Sequence, residues 1–86
     1  MKDITMLILK DCPYCIRAFE YIDRLKADHP EYQNLQIQVI DEEAEPERAR
    51  EYDYWYVPTF FVDGEKIHEG VKDLKLIDDV FQKASA

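Results

Sequence analysis

The chain opens on a nearly continuous apolar run, Ile4-Thr5-Met6-Leu7-Ile8-Leu9. A short run of this kind is the pattern of a central strand buried on both faces. Lys10-Asp11 predicts a tight turn. From Pro13 the period becomes helical. Ile16, Phe19, Ile22 and Leu25 recur on one face, and Arg17, Glu20, Asp23 and Arg24 lie elsewhere. Glu20 and Arg24 stand in the favoured i,i+4 order. This helix is expected to end near His29-Pro30, because proline disfavours helical geometry in the residue before it.

Leu35-Gln36-Ile37-Gln38-Val39-Ile40 alternates cleanly and predicts a second strand. The acidic segment after Asp41 predicts a second helix from about Pro46 to Asp53, with the proline tolerable only in its first turn. Thr59-Phe60-Phe61-Val62 reads as a third strand. Asp63-Gly64 is a two-residue hairpin signal, and Glu65 to Glu69 return as a fourth strand. Gly70 breaks that pattern, and Leu74, Ile77, Val80 and Phe81 mark a last amphipathic helix. The expected order is β-α-β-α-β-β-α. An α/β fold follows, with a mixed four-stranded sheet flanked by helices on both faces.

The 86 residues are expected to form a single small domain over 1–86, with a thin core, working as a monomer. The formal net charge is −8, with acid concentrated in the stretch from Asp41 to Glu51. Such a surface repels phosphate backbones and anionic lipid, which sets nucleic acid and membranes aside as partners. The run from Ile4 to Leu9 is short for the apolar core of an export signal, and no stretch approaches a membrane span. The expected location is therefore cytoplasmic. A structural disulfide is improbable there, and the two cysteines point to metal or redox chemistry.

Those cysteines lie in "KDCPYCIRAF". A structural zinc site needs four ligands at set spacing. One CxxC and two isolated histidines, His29 and His68, fall short of that, so no metal site is expected. A redox site needs less: one accessible thiol, a second within bonding reach, and surroundings that favour thiolate. Cys12 lies where the first strand has ended and the helix begins. Free N–H groups and the helix dipole there stabilise negative charge on its sulfur. Pro13 suits the first helical position, where its missing N–H costs nothing. Cys15 falls one turn on, on the same side, so a short disulfide can close. Lys10 adds a nearby positive charge. A thiolate stabilised in this way also departs readily from a mixed disulfide.

"CPYC" between a strand and a helix resembles the glutaredoxin active site. "VPTFFVDG", with a strand and a terminal helix after it, is similar to the second half of the thioredoxin fold. The likeness runs through nearly the whole chain. It implies that Cys12 is the exposed nucleophile and Cys15 the buried resolving thiol. It implies a cis peptide bond at Pro58, facing the pair, and a Val57 whose backbone N–H and C=O pair with a substrate chain. Tyr14 would shield the thiols and border a glutathione groove. Gly70 matches the second glycine of the glutaredoxin "GG-x-D" motif and Val71 follows it, so both are expected at the substrate groove.

The sequence departs from that family at two places. Glu69 replaces the first glycine of the motif, and Lys72 stands where its acid is expected. Glu69 should repel glutathione, while Lys72 could bind one of its carboxylates. Tyr56 replaces the usual threonine before Val-Pro and completes the aromatic run Tyr54-Trp55-Tyr56. These rings either pack beneath the second helix or form an exposed rim for a protein partner.

The expected activity is dithiol–disulfide exchange on protein or glutathione mixed disulfides, with no bound cofactor. Glutathione, as co-substrate, or a thioredoxin-type reductase would return the electrons. The alternatives are a carrier of a glutathione-ligated iron–sulfur cluster and a non-catalytic interaction domain of the same fold.

Overall fold

Residues 2–86 are described by a computed structural model. The apolar run forms β1 (Ile4–Ile8), central in a sheet of order β2-β1-β3-β4. β2 (Ile37–Asp41) lies parallel to β1, and β3 (Thr59–Val62) lies antiparallel on its other side. β4 (Glu65–His68) closes the far edge as an antiparallel hairpin with β3. Strands alternate their side chains between faces, and this divides the core in two. Ile4 and Met6 of β1, with Phe60 and Val62 of β3, pack beneath α1 (Pro13–Asp28) and α3 (Leu74–Ser85). Leu7 and Phe61 face the other way, onto Ile40 and onto Ala49 of α2 (Pro46–Ala49). A one-turn 3-10 helix, Pro30–Tyr32, links α1 to β2.

The order β-α-β-α-β-β-α and the mixed sheet with helices on both faces agree with the pattern of the sequence. Five elements differ from it in facing or extent. The face that α1 buries is Cys15, Ala18, Ile22 and Leu25, while Ile16 is 54% exposed and Phe19 is also open to solvent. At about 100° per residue, Cys15, Ala18, Ile22 and Leu25 share an arc of about 80°. Ile16 falls about 100° outside Cys15. Burying the second cysteine thus sets the rotation of the helix, and a small alanine takes the place at the sheet that Phe19 was expected to hold.

The second helix is one turn, not two. Past Ala49 the chain tightens into i→i+3 hydrogen bonds, Glu51 N–H to Arg48 and Tyr52 N–H to Ala49. It then leaves the helix and lays Tyr52 against Phe61, with ring centres 4.8 Å apart. β2 begins at Ile37, two residues later than its alternation predicts, and Val39 stays exposed on this edge strand. β1 and β4 each stop one residue early. Among the described residues no helix is long and apolar enough to cross a membrane.

Candidate functional site

The C-terminal ends of the two parallel strands and the start of α1 meet at one pole of the molecule. After β1 the turn Lys10-Asp11 reverses the chain, with Asp11 in the left-handed region at φ 67°. Aspartate tolerates that conformation better than most residues. Cys12 follows as the N-cap of α1, and Pro13 occupies the first helical position. The Cys12 sulfur accepts a hydrogen bond from the Cys15 N–H at 3.3 Å, so a thiol does the work that serine or aspartate usually does at an N-cap.

Both cysteines are free thiols, and they are unequal. Cys12 is partly exposed, whereas Cys15 is only 2% exposed. Burial pushes the Cys15 thiol up to about 12, and the neighbouring Cys12 sulfur and the Glu42 carboxylate act in the same direction. An interaction with the Leu9 backbone works against them. Glu42 reaches this pole because its N–H continues the parallel ladder onto the Ile8 carbonyl at 3.0 Å.

The segment preceding β3 provides the other wall. The Val57-Pro58 bond is cis, as the resemblance implies. Pro58 is buried and Val57 half-buried. The Val71 N–H donates to the Pro58 carbonyl at 2.9 Å, which brings the Gly70-Val71 turn against this segment. Gly70 has φ 64°, and a Cβ there would lie 3.2 Å from that of Tyr56. Glycine is therefore required twice over, by conformation and by space. Tyr14, exposed on α1, carries the Lys72 ammonium 5.5 Å from its ring centre. The expected residues Pro13, Tyr14, Val57, Pro58, Gly70 and Val71 thus lie on the cysteine-bearing helix start or on the two segments linked to it. Lys10 stands exposed on the turn, and the contacts that organise the site come from other residues.

The aromatic run divides between the two expected placements, one ring packed and two exposed. Tyr54 packs on the α2 face of the sheet with Leu7, Ile40 and Phe61. Trp55 and Tyr56 stand out at 86% and 72% exposure. Trp55 and Tyr54 border a cleft of about 410 Å³ shared with Glu42, Pro46, Ala49, Arg50 and Tyr52. Larger clefts, of about 540 Å³ between β4 and α3 and about 790 Å³ at the opposite pole, touch neither cysteine.

Glu69 was expected to repel an anionic substrate, but its charge is engaged within the protein. Its carboxylate accepts from the N–H groups of Trp55 at 2.7 Å and Tyr56 at 3.1 Å, and from Lys66 Nζ at 2.6 Å. Lys66, and then the two N–H groups, hold this carboxyl below its ordinary range. Asp73 is also engaged, capping α3 by accepting from the Leu76 N–H at 3.0 Å. Thr59, fully buried, donates its hydroxyl to the Tyr56 carbonyl. Sequence reasoning missed Glu69, Lys66 and Thr59 as organisers of this wall. Among the described residues no three His, Cys, Asp or Glu side chains converge as a metal site would need.

No family model matches the sequence, and no curated protein matches it. Solved structures do. The chain is similar to desulfothioredoxin from Desulfovibrio vulgaris Hildenborough in its reduced form, with a TM-score of 0.67 at 23% identity, covering 95% of this chain and 80% of that one. It is also similar to human ERp44 in a zinc-bound form, with a TM-score of 0.63 at 17% identity. That match covers 99% of this chain and 27% of the larger protein. With its sheet order, its cis proline before β3 and its CxxC pair at the start of α1, the chain has the thioredoxin fold.

Proposed function

We propose that the protein is a dithiol–disulfide oxidoreductase that reduces disulfides in proteins. The observation that carries this reading is the inequality of the two thiols. One is reachable and accepts an N–H bond at a helix start, and the other is buried and held protonated one turn away.

In the first step the Cys12 thiolate attacks one sulfur of the substrate disulfide. A Cys12–substrate bond forms, the substrate S–S bond breaks, and the departing sulfur leaves as a thiolate that takes a proton from solvent. The new mixed disulfide lies beside Cys15. Cys15 then loses its proton and attacks the Cys12 sulfur. The Cys12–Cys15 disulfide closes, and the second substrate sulfur departs with the bonding pair and is protonated. Two electrons have moved from the protein to the substrate. Holding Cys15 protonated until that moment keeps it from competing with Cys12 for the first attack.

The exposed Trp55 and Tyr56 beside the cis proline favour a protein substrate, since such rings anchor protein interfaces. A second reading is reduction of glutathione mixed disulfides, favoured by the Lys72 ammonium over Tyr14, which could hold a glutathione carboxylate. A cluster-carrying role and a purely binding role have no comparable support. The electrons would return from glutathione or from a thioredoxin-type reductase, as expected of a protein working as a monomer in the cytoplasm.

The test offers the reduced protein a disulfide-bonded protein and, separately, a glutathionylated peptide. Either glutathione with its reductase or a thioredoxin-type reductase regenerates it. Turnover is expected on the protein disulfide. Cys12→Ser should abolish it, and Cys15→Ser should stop at a trapped mixed disulfide through Cys12. Full activity of Cys12→Ser would overturn the assignment.

A further inference from the structure

We infer that Glu69 is a positioning residue that fixes the substrate-pairing segment at Val57, together with its aromatic rim, for proteins and not for small disulfides. The inference rests on the reading just given and names what enforces its protein specificity.

Residues 53–58 lie outside regular secondary structure, so their N–H groups find no partners in a sheet ladder. Backbone donors left without partners are costly, and a segment carrying them is free to rearrange. Glu69 removes that freedom. One carboxylate oxygen accepts from both Trp55 and Tyr56 N–H groups, and the other binds Lys66. The same Lys66 donates to the Asp53 carbonyl at 3.2 Å. Two side chains from the β4 end of the sheet therefore grip three of the four residues ahead of Val57.

A bulge makes this grip feasible. Residues three apart on a regular strand point to opposite faces. Here Phe60 opposes His68 while Phe61 opposes Lys66, so β4 carries one extra residue. The extra residue resets the alternation and lets Lys66 and Glu69 meet at 2.6 Å.

The segment is held from its far side as well. Gly70 lies against Tyr56, the Tyr56 carbonyl accepts from Thr59, and the Pro58 carbonyl accepts from Val71. With the amides of residues 55 and 56 turned inward to a carboxylate, the Trp55 and Tyr56 rings are left outside. The backbone of Val57, next in the chain, is set in one orientation before a partner arrives. Association is stronger when this ordering is already complete. A small disulfide that touches only Cys12 draws nothing from it.

The experiment uses pre-reduced full-length protein in single turnover. The substrates are a disulfide-bridged peptide with several residues on each side of its cystine and the small aromatic disulfide dithiobis(nitrobenzoate). Glu69→Ala is expected to slow peptide reduction about tenfold, equivalent to about 1.4 kcal/mol. The small disulfide should react within about twofold of the wild-type rate. Glu69→Gln, which keeps an acceptor oxygen but loses the ion pair, should recover part of the peptide rate. Amide exchange on the wild type supplies an independent reading, and the Trp55 and Tyr56 N–H groups should exchange well below the rates of free peptide.

Equal peptide rates for wild type and Glu69→Ala, or unprotected amides at residues 55 and 56, would overturn the role of Glu69 while leaving the redox assignment intact. Loss of both rates in Glu69→Ala would show a collapsed site and also overturn it. A wild-type protein that reduces neither substrate would instead remove the redox assignment itself.

Discussion

The buried cysteine should be nearly inert in the folded protein and ordinary in the unfolded one. The perturbation is Cys12→Ser, which leaves Cys15 as the one thiol. In the native chain Cys15 is raised from an ordinary 9.0 to about 12, with burial the leading cause. The serine keeps that burial but removes the smaller contributions of the Cys12 sulfur, so the native shift is an upper bound for the variant. Burial disfavours the charged form, so the thiolate fraction at any pH below 9 falls by up to about a thousandfold. Each remaining thiolate is more nucleophilic, by up to about 16- to 32-fold at a Brønsted slope of 0.4–0.5. The net slowing therefore reaches at most about 30- to 60-fold, before the steric effect of 2% exposure is added. The assay is timed alkylation with iodoacetamide at pH 7.5, quenched in acid and read by peptide mass spectrometry. The same variant in guanidinium provides the reference. The native rate should also keep climbing about tenfold per pH unit beyond pH 9, where the unfolded reference levels off. Equal rates in the native and unfolded states would refute the reasoning, and with it the claim that Cys15 waits in protonated form.

Three further expectations concern the frame around the pair. Phe60→Ala, at a fully buried position on the α1 and α3 face, should cost about 3–5 kcal/mol in denaturant unfolding. Gly70→Ala places a Cβ at φ 64° and 3.2 Å from the Tyr56 Cβ, and should cost about 1–2 kcal/mol by the same method while slowing protein-disulfide reduction. The Tyr32 hydroxyl, donating to Asp78 at 2.6 Å, is raised from 10.0 to about 12 by burial first and then by Asp78. A group whose folded value is raised stabilises fully below its unfolded value and loses that contribution as pH rises. The contribution of Tyr32 is thus present below pH 10 and lost between about pH 10 and 12, and Tyr32→Phe should remove that step from a plot of stability against pH.

The fold was legible because its decisive signals are local and redundant. A nearly continuous apolar run, a change of period from Pro13 and an Asp-Gly hairpin each specify one element, and their order leaves few ways to assemble a sheet. What the pattern could not show is which residues win when two faces compete. Ile16 and Phe19 are the more apolar side chains, yet α1 turns Cys15 and Ala18 inward, with the Cys15 N–H bonded to the Cys12 sulfur at its first turn. The eight residues from Pro46 look helical by composition, but the long-range burial of Tyr52 and Tyr54 against the sheet ends the helix after one turn.

At the site, Cys12, Cys15 and the cis proline were readable from a motif, since they sit at fixed places relative to strand and helix. Glu69 was not. Its role depends on a bulge in β4 and on two amides 13 and 14 residues earlier in the chain, neither of which has a signature in the sequence. The spacing of Lys66 and Glu69 would on a regular strand have argued against their meeting.

The anchorage of the chain ends has a practical consequence. The Lys2 N–H bonds the Ala84 carbonyl at 2.9 Å, and Asp3 exchanges two further bonds with Asp63 in the β3–β4 hairpin. Residues 2, 63 and 84 therefore cluster where β1 begins, whereas the thiols lie past its other end, about 17 Å away along the strand. Material attached before residue 2 or after residue 86, whether a bead, an electrode or another folded module, would trail behind the working face. A protein immobilised by either end would present its sulfur outward to the solution.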